Sequence, residues 1–278
     1  MIRIITDTLS DFTVEQAKEM NIDLMALSIR FGEESYQSGY EMTNEQFYEK
    51  LVTSKNSPST AAVNAYDFEK KFKEYLDAGD EILAILFTKE LSATFQSAFI
   101  AKGNLNSDKI HLIDTTTASV TQGLLVKTAV DMRAEGKSIE EIEQRITKAT
   151  ENTQFFAVLD TLEYLKRGGR ISPTVAFVGG VLGLHPVVQI KNGKVNLVDK
   201  VKGNKSTNKW LINKLKELPA DNSFPVFIGH TNALDKAEKL SAQLEEALSL
   251  SNLPIQCIGP SIGTHLGPGT VAVGYISK

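Results

Sequence analysis

Three short apolar runs, at residues 2–5, 82–87 and 110–113, are each followed by a polar loop and then by a segment of helical periodicity. This alternation constrains the chain more than any other feature. Strands that return through helices run parallel to one another, so the first half reads as βα units around a parallel sheet. In such a sheet the loops leaving the carboxyl ends of the strands gather on one edge, where ligands are commonly held. Residues 6–12, 88–94 and 114–121 are those loops, and all are rich in hydroxyls. Helix starts are marked by Thr13 with Gln16, Thr43 with Gln46 and Ser138 with Glu141, each the pattern of a capping box.

Beyond about residue 155 the pattern changes. Extended runs at 187–190 and 194–201 flank Asn192-Gly193, a dipeptide suited to a tight hairpin turn. A strand at 225–228, an amphipathic helix over 233–248 and closing strands at 255–258 and 271–276 follow, which predicts an α+β second half with a mixed sheet. With 278 residues, the chain fits two domains better than one: an α/β domain over 1–155 and an α+β domain over 156–278.

The net charge of −4 offers no general attraction to nucleic acid or to an anionic membrane, so no nucleic-acid partner and at most transient membrane contact are expected. That balance hides an asymmetry: residues 1–150 carry 16 Lys/Arg against 24 Asp/Glu, and residues 151–278 carry 14 against 10. Residues 166–216 hold eleven Lys/Arg and one acid, Asp199, which reads either as a solvated basic face or as a docking surface. The single cysteine, Cys257, excludes an internal disulfide framework, and the four histidines show no zinc-ligand spacing. The opening MIRIITDT reads as a strand, and the expected location is the cytoplasm.

Enzyme signatures fare poorly. GPSIG at 259–263 matches the hydrolase elbow G-x-S-x-G, but only His265 and no acid follow Ser261, so the order Ser, acid, His cannot be completed. There is no phosphate-binding G-x-x-x-x-G-K-[ST] loop, and Gly179-Gly180 with Gly183 gives no dinucleotide fingerprint; these glycines read as packing or turn residues. An independent hydrolase or transferase acting on a small acidic substrate stays as the alternative class.

Several segments in order resemble the DegV family: ITDTLSDF at 5–12, PSTAAVN at 58–64, LSATFQSA at 91–98, TLEYLKRGGRIS at 161–172, IGHTNA at 228–233 and IGTHLGPGT at 262–270. The resemblance implies two α/β domains with a long-chain fatty acid buried between them. It also implies a carrier, not an enzyme in itself, that presents the acid to a bacterial ATP-dependent fatty-acid kinase for acyl phosphate formation. No cofactor beyond the bound acid is implied. A carboxylate leaving water needs several hydrogen-bond donors, and the resemblance assigns that role to Thr60, Ser92 and His265 with the backbone at Ala61. Arg170 and Lys202 are implied as contacts to the partner or to phosphate.

Read locally, the same residues have plainer roles. Ser92 is a candidate helix N-cap, Thr60 a loop hydroxyl and His265 a loop histidine, although Gly263, Gly267 and Gly269 around it suggest a close approach. Asp7 reads as a loop-organising side chain, and Gly168-Gly169 as the end of a helix through 162–166. The chain departs from the family where TSQPS becomes TAAVN at 60–64, where SGTYQS becomes SATFQS at 92–97, and where VKGNKST at 201–207 replaces arginines. A lysine at 202 lacks the bidentate geometry of arginine.

Overall fold

The structure, a computed structural model, describes residues 1–172 and 183–278; Gly179-Gly180 lies outside them. Strand β1 (Ile2–Asp7) leads through a 3-10 turn into helix α1 (Val14–Glu19) and returns as β2 (Ile22–Met25). A small unit follows, with β3 (Ser28–Phe31), β4 (Glu34–Gln37), α2 (Asn44–Thr53) and β5 (Ser59–Ala61). Next come α3 (Ala65–Asp77), β6 (Glu81–Leu86), α4 (Thr94–Leu105), β7 (Ile110–Asp114), α5 (Ser119–Ala134) and α6 (Ile139–Thr150). The remaining elements are β8 (Thr153–Val158), α7 (Glu163–Arg167), β9 (Leu184–Lys191), β10 (Lys194–Lys202), α8 (Asn204–Glu217), β11 (Phe227–His230), α9 (Leu234–Leu248), β12 (Ile255–Cys257), α10 (Pro260–Leu266) and β13 (Val271–Ile276).

The α/β class expected from sequence holds. A parallel sheet has the order β2-β1-β6-β7, and its central strand β6 is buried on both faces from Ile82 to Leu86, which is why it reads as an unbroken apolar run. The second half supplies a mixed sheet of order β10-β9-β8-β13-β11-β12, antiparallel except between β11 and β12. One face of it joins the core shared with the parallel sheet through Phe155, Ala157, Val188 and Ile190. The other face, with Phe156, Val187, Ile228 and Val273, is covered by α8 and α9 through Leu211, Leu215, Leu240 and Leu244. A bulge between Leu197 and Asp199 lets β10 send Val195 and Leu197 to the first core and Val201 to the second.

All three capping boxes form, and the hairpin turns at Asn192-Gly193 with both residues at positive φ. Three expectations need correction. The strand placed at 225–228 lies at Phe227–His230, beginning beyond Pro225, which has no N–H for a ladder. Thr60 belongs not to a loop but to β5 of an unforeseen three-stranded sheet of order β4-β3-β5. The glycine-rich segment around His265 is not a loop up to that point: Pro260 opens α10, where its missing N–H costs nothing, and Gly267 at φ 71° closes it.

Candidate functional site

The parallel sheet reverses its winding between β1 and β6, and a cavity of about 240 Å³ opens beside the carboxyl ends of those strands. Leu9 after β1 and Phe87 after β6 line it, together with Ala118, Phe155, Val188, Ile190 and Val195. Its polar side chains are Thr60, Ser92, Arg170 and His265, and no Asp or Glu is among the described residues that line it.

Those four groups come from distant parts of the chain and meet through the backbone of residues 168–170. Thr60 Oγ1 lies 3.1 Å from His265 Nε2. The His265 ring rests on Gly168, where an added Cβ would overlap Nδ1, and that nitrogen is shut from solvent with no hydrogen-bond partner among the described residues. Arg170 donates from Nη1 to the Gly168 carbonyl (2.5 Å) and from Nε to the Leu91 carbonyl (3.3 Å), which sets its guanidinium against the peptide that leads into Ser92. Burial, assisted by the Arg170 charge, lowers the His265 pKa to about 4, so the imidazole is neutral at physiological pH.

The glycines suspected of permitting a close approach do so. Gly267 meets the Tyr164 ring of α7 and Gly269 meets the Asp160 carboxylate; both have positive φ, and neither site has room for a Cβ. Thus the TLEYLKRGGR and IGTHLGPGT segments are two halves of one packed joint. Gly168 closes α7 as expected, one residue beyond Arg167.

The other sequence-derived residues are placed less centrally. Ser92 precedes the N-cap position, held by Ala93, and its Oγ accepts from Thr94 N (3.3 Å) while pairing with Thr94 Oγ1 (3.0 Å). Ala61 pairs with Ser28 in the small sheet, while Thr60 and Ala62 on either side of it line the cavity. Lys202 stands exposed at the end of β10, paired across the hairpin with Leu184, and is not among the cavity-lining residues.

A second buried cluster braces the cavity and was only half visible in the sequence. Asp7 accepts from Leu9 N (3.0 Å), Phe87 N (2.9 Å) and Gln122 Nε2 (3.1 Å), confirming it as an organiser of loops. Asp11, at φ 63°, accepts from Ser119 Oγ (2.5 Å) and from Gly259 N (2.9 Å), the N-cap residue of the helix that carries His265. Burial pushes the Asp7 carboxyl up to about 6 and the Asp11 carboxyl up to about 7, more than their donors pull them down. Ser261 is fully buried with its Oγ 3.1 Å from Thr8 Oγ1, so it joins this brace and presents no nucleophile.

Among the described residues no group of His, Cys, Asp and Glu could hold a metal ion, and no helix is long and apolar enough to cross a membrane. The family model described as "Uncharacterised protein, DegV family" matches residues 1–278. A DegV domain-containing protein of Caldanaerobacter subterraneus is 32% identical over 278 residues, covering 100% of this chain and 99% of the relative. A crystal structure of a fatty-acid-binding DegV family protein from Streptococcus agalactiae superimposes with a TM-score of 0.90 at 29% identity, covering 100% of this chain and 99% of that one. A stearic-acid-binding protein of Eubacterium ventriosum gives a TM-score of 0.89 at 25% identity, with coverage of 100% and 99%. A full-length family match and a full-length relative at this identity place the chain in the DegV family.

Proposed function

We propose that this protein binds a long-chain fatty acid in the cavity and presents its carboxylate to a separate ATP-using kinase for acyl phosphate formation. One observation carries the reading: an otherwise apolar cavity gathers hydroxyls, a neutral imidazole and a guanidinium, with no acid among the described residues that line it. A buried carboxylate needs that set of groups. Thr60, Ser92 and His265 take the head group, with the backbone at Ala61 close by, and Arg170 offsets its charge. The fatty-acid binding described for the structural relatives from S. agalactiae and E. ventriosum supports the same ligand.

The tail supplies most of the affinity. Burial contributes about 0.8 kcal/mol per methylene, so a chain of about sixteen carbons offers on the order of 12 kcal/mol before association costs. The carrier acts in the cytoplasm, and Arg170 and Lys202 belong to the surface that meets the kinase or the transferring phosphate.

The test is direct. Solvent extracts of purified protein, read by mass spectrometry, should contain a long-chain fatty acid, and delipidated protein should regain thermal stability when one is added. With a fatty-acid kinase and ATP, the bound acid should become acyl phosphate. An empty extract, with no stabilisation by acids of any length, would remove the reading.

A further inference from the structure

The wall of the cavity built by β8, β9 and β10 has its own construction. Ile190 on β9 pairs with Phe155 on β8 and with Val195 on β10, so three cavity-lining side chains stand in one row across three strands. Just beyond them the hairpin turn is pinned to the loops of the parallel sheet. Gly193 N donates to the Thr116 carbonyl (3.0 Å), Thr88 Oγ1 donates to the Gly193 carbonyl (3.4 Å), and Lys194 Nζ lies 3.4 Å from Glu90 Oε2. The fit at Gly193 is tight, since a Cβ there would overlap Thr88 Oγ1 and its φ of +74° disfavours any other residue. The hairpin therefore cannot drift outward without breaking these contacts. Among the described lining residues, none of the polar ones comes from β8, β9 or β10.

We infer that the Phe155–Ile190–Val195 row is the stop against which the terminal methyl of the acyl chain rests, and that it sets the longest chain accepted. The inference depends on the fatty-acid reading of the cavity. A wall pinned at a hairpin tip behaves as a length gauge because a chain one methylene too long must either lift the turn or push its carboxylate out of the donors. Each methylene left unburied weakens binding about fourfold.

The experiment measures dissociation constants of delipidated protein for saturated acids of twelve to twenty carbons. Val195→Phe, at a half-buried position that tolerates change, should shift the optimum to shorter chains and lower the eighteen- to fourteen-carbon affinity ratio by about tenfold or more. Ile190→Ala should shift it the other way, and Val195→Ala serves in its place if that variant does not fold. Ser92→Ala, at the polar cluster, should weaken all lengths by a similar factor. If the parent protein binds these acids but both the enlarging and the filling variant keep its length order within about twofold, the gauge lies elsewhere and the inference fails alone. If the parent binds no acid of any length, the fatty-acid reading fails and takes the inference with it.

Discussion

Two polar clusters meet at this cavity, one buried and one half-buried, and their chemistry is opposite. Around Asp7 and Asp11, carboxylates of the chain itself are met by backbone amides, a hydroxyl and an amide side chain. Around His265 the chain assembles Thr60, Ser92 and Arg170 with no acid among the described residues that line the space. The first cluster matches the chain's own carboxyls with the chain's own donors and is therefore structural; it fixes Leu9, Phe87 and the start of α10 in place. The second has more capacity to donate than the protein uses, which is the signature of a site built for an anion from outside. Composition alone does not separate such clusters; the ratio of donors to charges within each one does.

The sharpest way to break this comparison is to remove the hub. Asp11→Ala strands the Gly259 N–H and the Ser119 hydroxyl, and should lower stability by about 3 kcal/mol in denaturant titrations near pH 5. The pH dependence supplies the sign. A carboxyl raised to about 7 in the native state keeps its proton longer there than in the unfolded chain, so its contribution is fully present below about pH 4 and declines as pH rises through 7. Asp11→Asn should flatten that decline, and a parent protein that grows more stable between pH 5 and 8 would contradict the assignment.

Next in size is Gly168→Ala, which touches the second cluster without touching a donor. Its Cβ would displace the His265 ring and break the contact with Thr60. Fatty-acid affinity should fall about tenfold or more, as expected when a buried hydrogen-bonding group loses its place. Isothermal titration against one long-chain acid checks this, and unchanged affinity would detach His265 from the head group. The imidazole offers an independent reading: its proton should titrate near 4 by NMR in the delipidated protein and move upward when a carboxylate binds beside it, since an anion favours the cationic ring.

Much of this architecture was legible in the sequence, for reasons that also mark the limit. The strand at 82–87 is buried on both faces and so carries an unbroken apolar run, those at 2–5 and 110–113 keep most of one, and the hairpin announces itself through Asn192-Gly193. The β3–β5 sheet is made of short strands, and β4 is largely exposed, so its sequence carries no clear period. Asp11 has a left-handed backbone and partners more than a hundred residues away, neither of which leaves a local trace. His265 was found through family resemblance, while its helix was hidden by the flanking prolines and glycines.

A smaller effect is expected at Ser92. Its hydroxyl already pairs with Thr94, so Ser92→Ala should cost about 1 kcal/mol of ligand affinity, roughly a fivefold change, with tail burial maintaining the remainder. Acyl phosphate formation, which depends on where the carboxylate points, should fall further than lipid retention. Equal losses in both would make Ser92 part of the wall and not of the head-group cluster.

The smallest effect on the cavity, and the one that separates it from the protein's outer surface, is expected at Lys202. It stands exposed at the end of β10, outside the lining, within the stretch where eleven basic residues face a single acid in the sequence. Its charge therefore acts through solvent on an approaching partner, and such interactions govern association rate and its response to salt more than the stability of a bound ligand. Lys202→Glu should leave fatty-acid affinity within about twofold while slowing kinase association severalfold at low ionic strength. The difference should shrink as salt is raised toward physiological levels, where the screening length is about 8 Å. Arg170→Glu, by contrast, places an acid in the lining itself and should weaken both lipid binding and turnover. If Lys202→Glu and the parent protein associate with the kinase at the same rate and with the same salt slope, the basic stretch is solvated surface, and the docking face must be sought around the polar cluster instead.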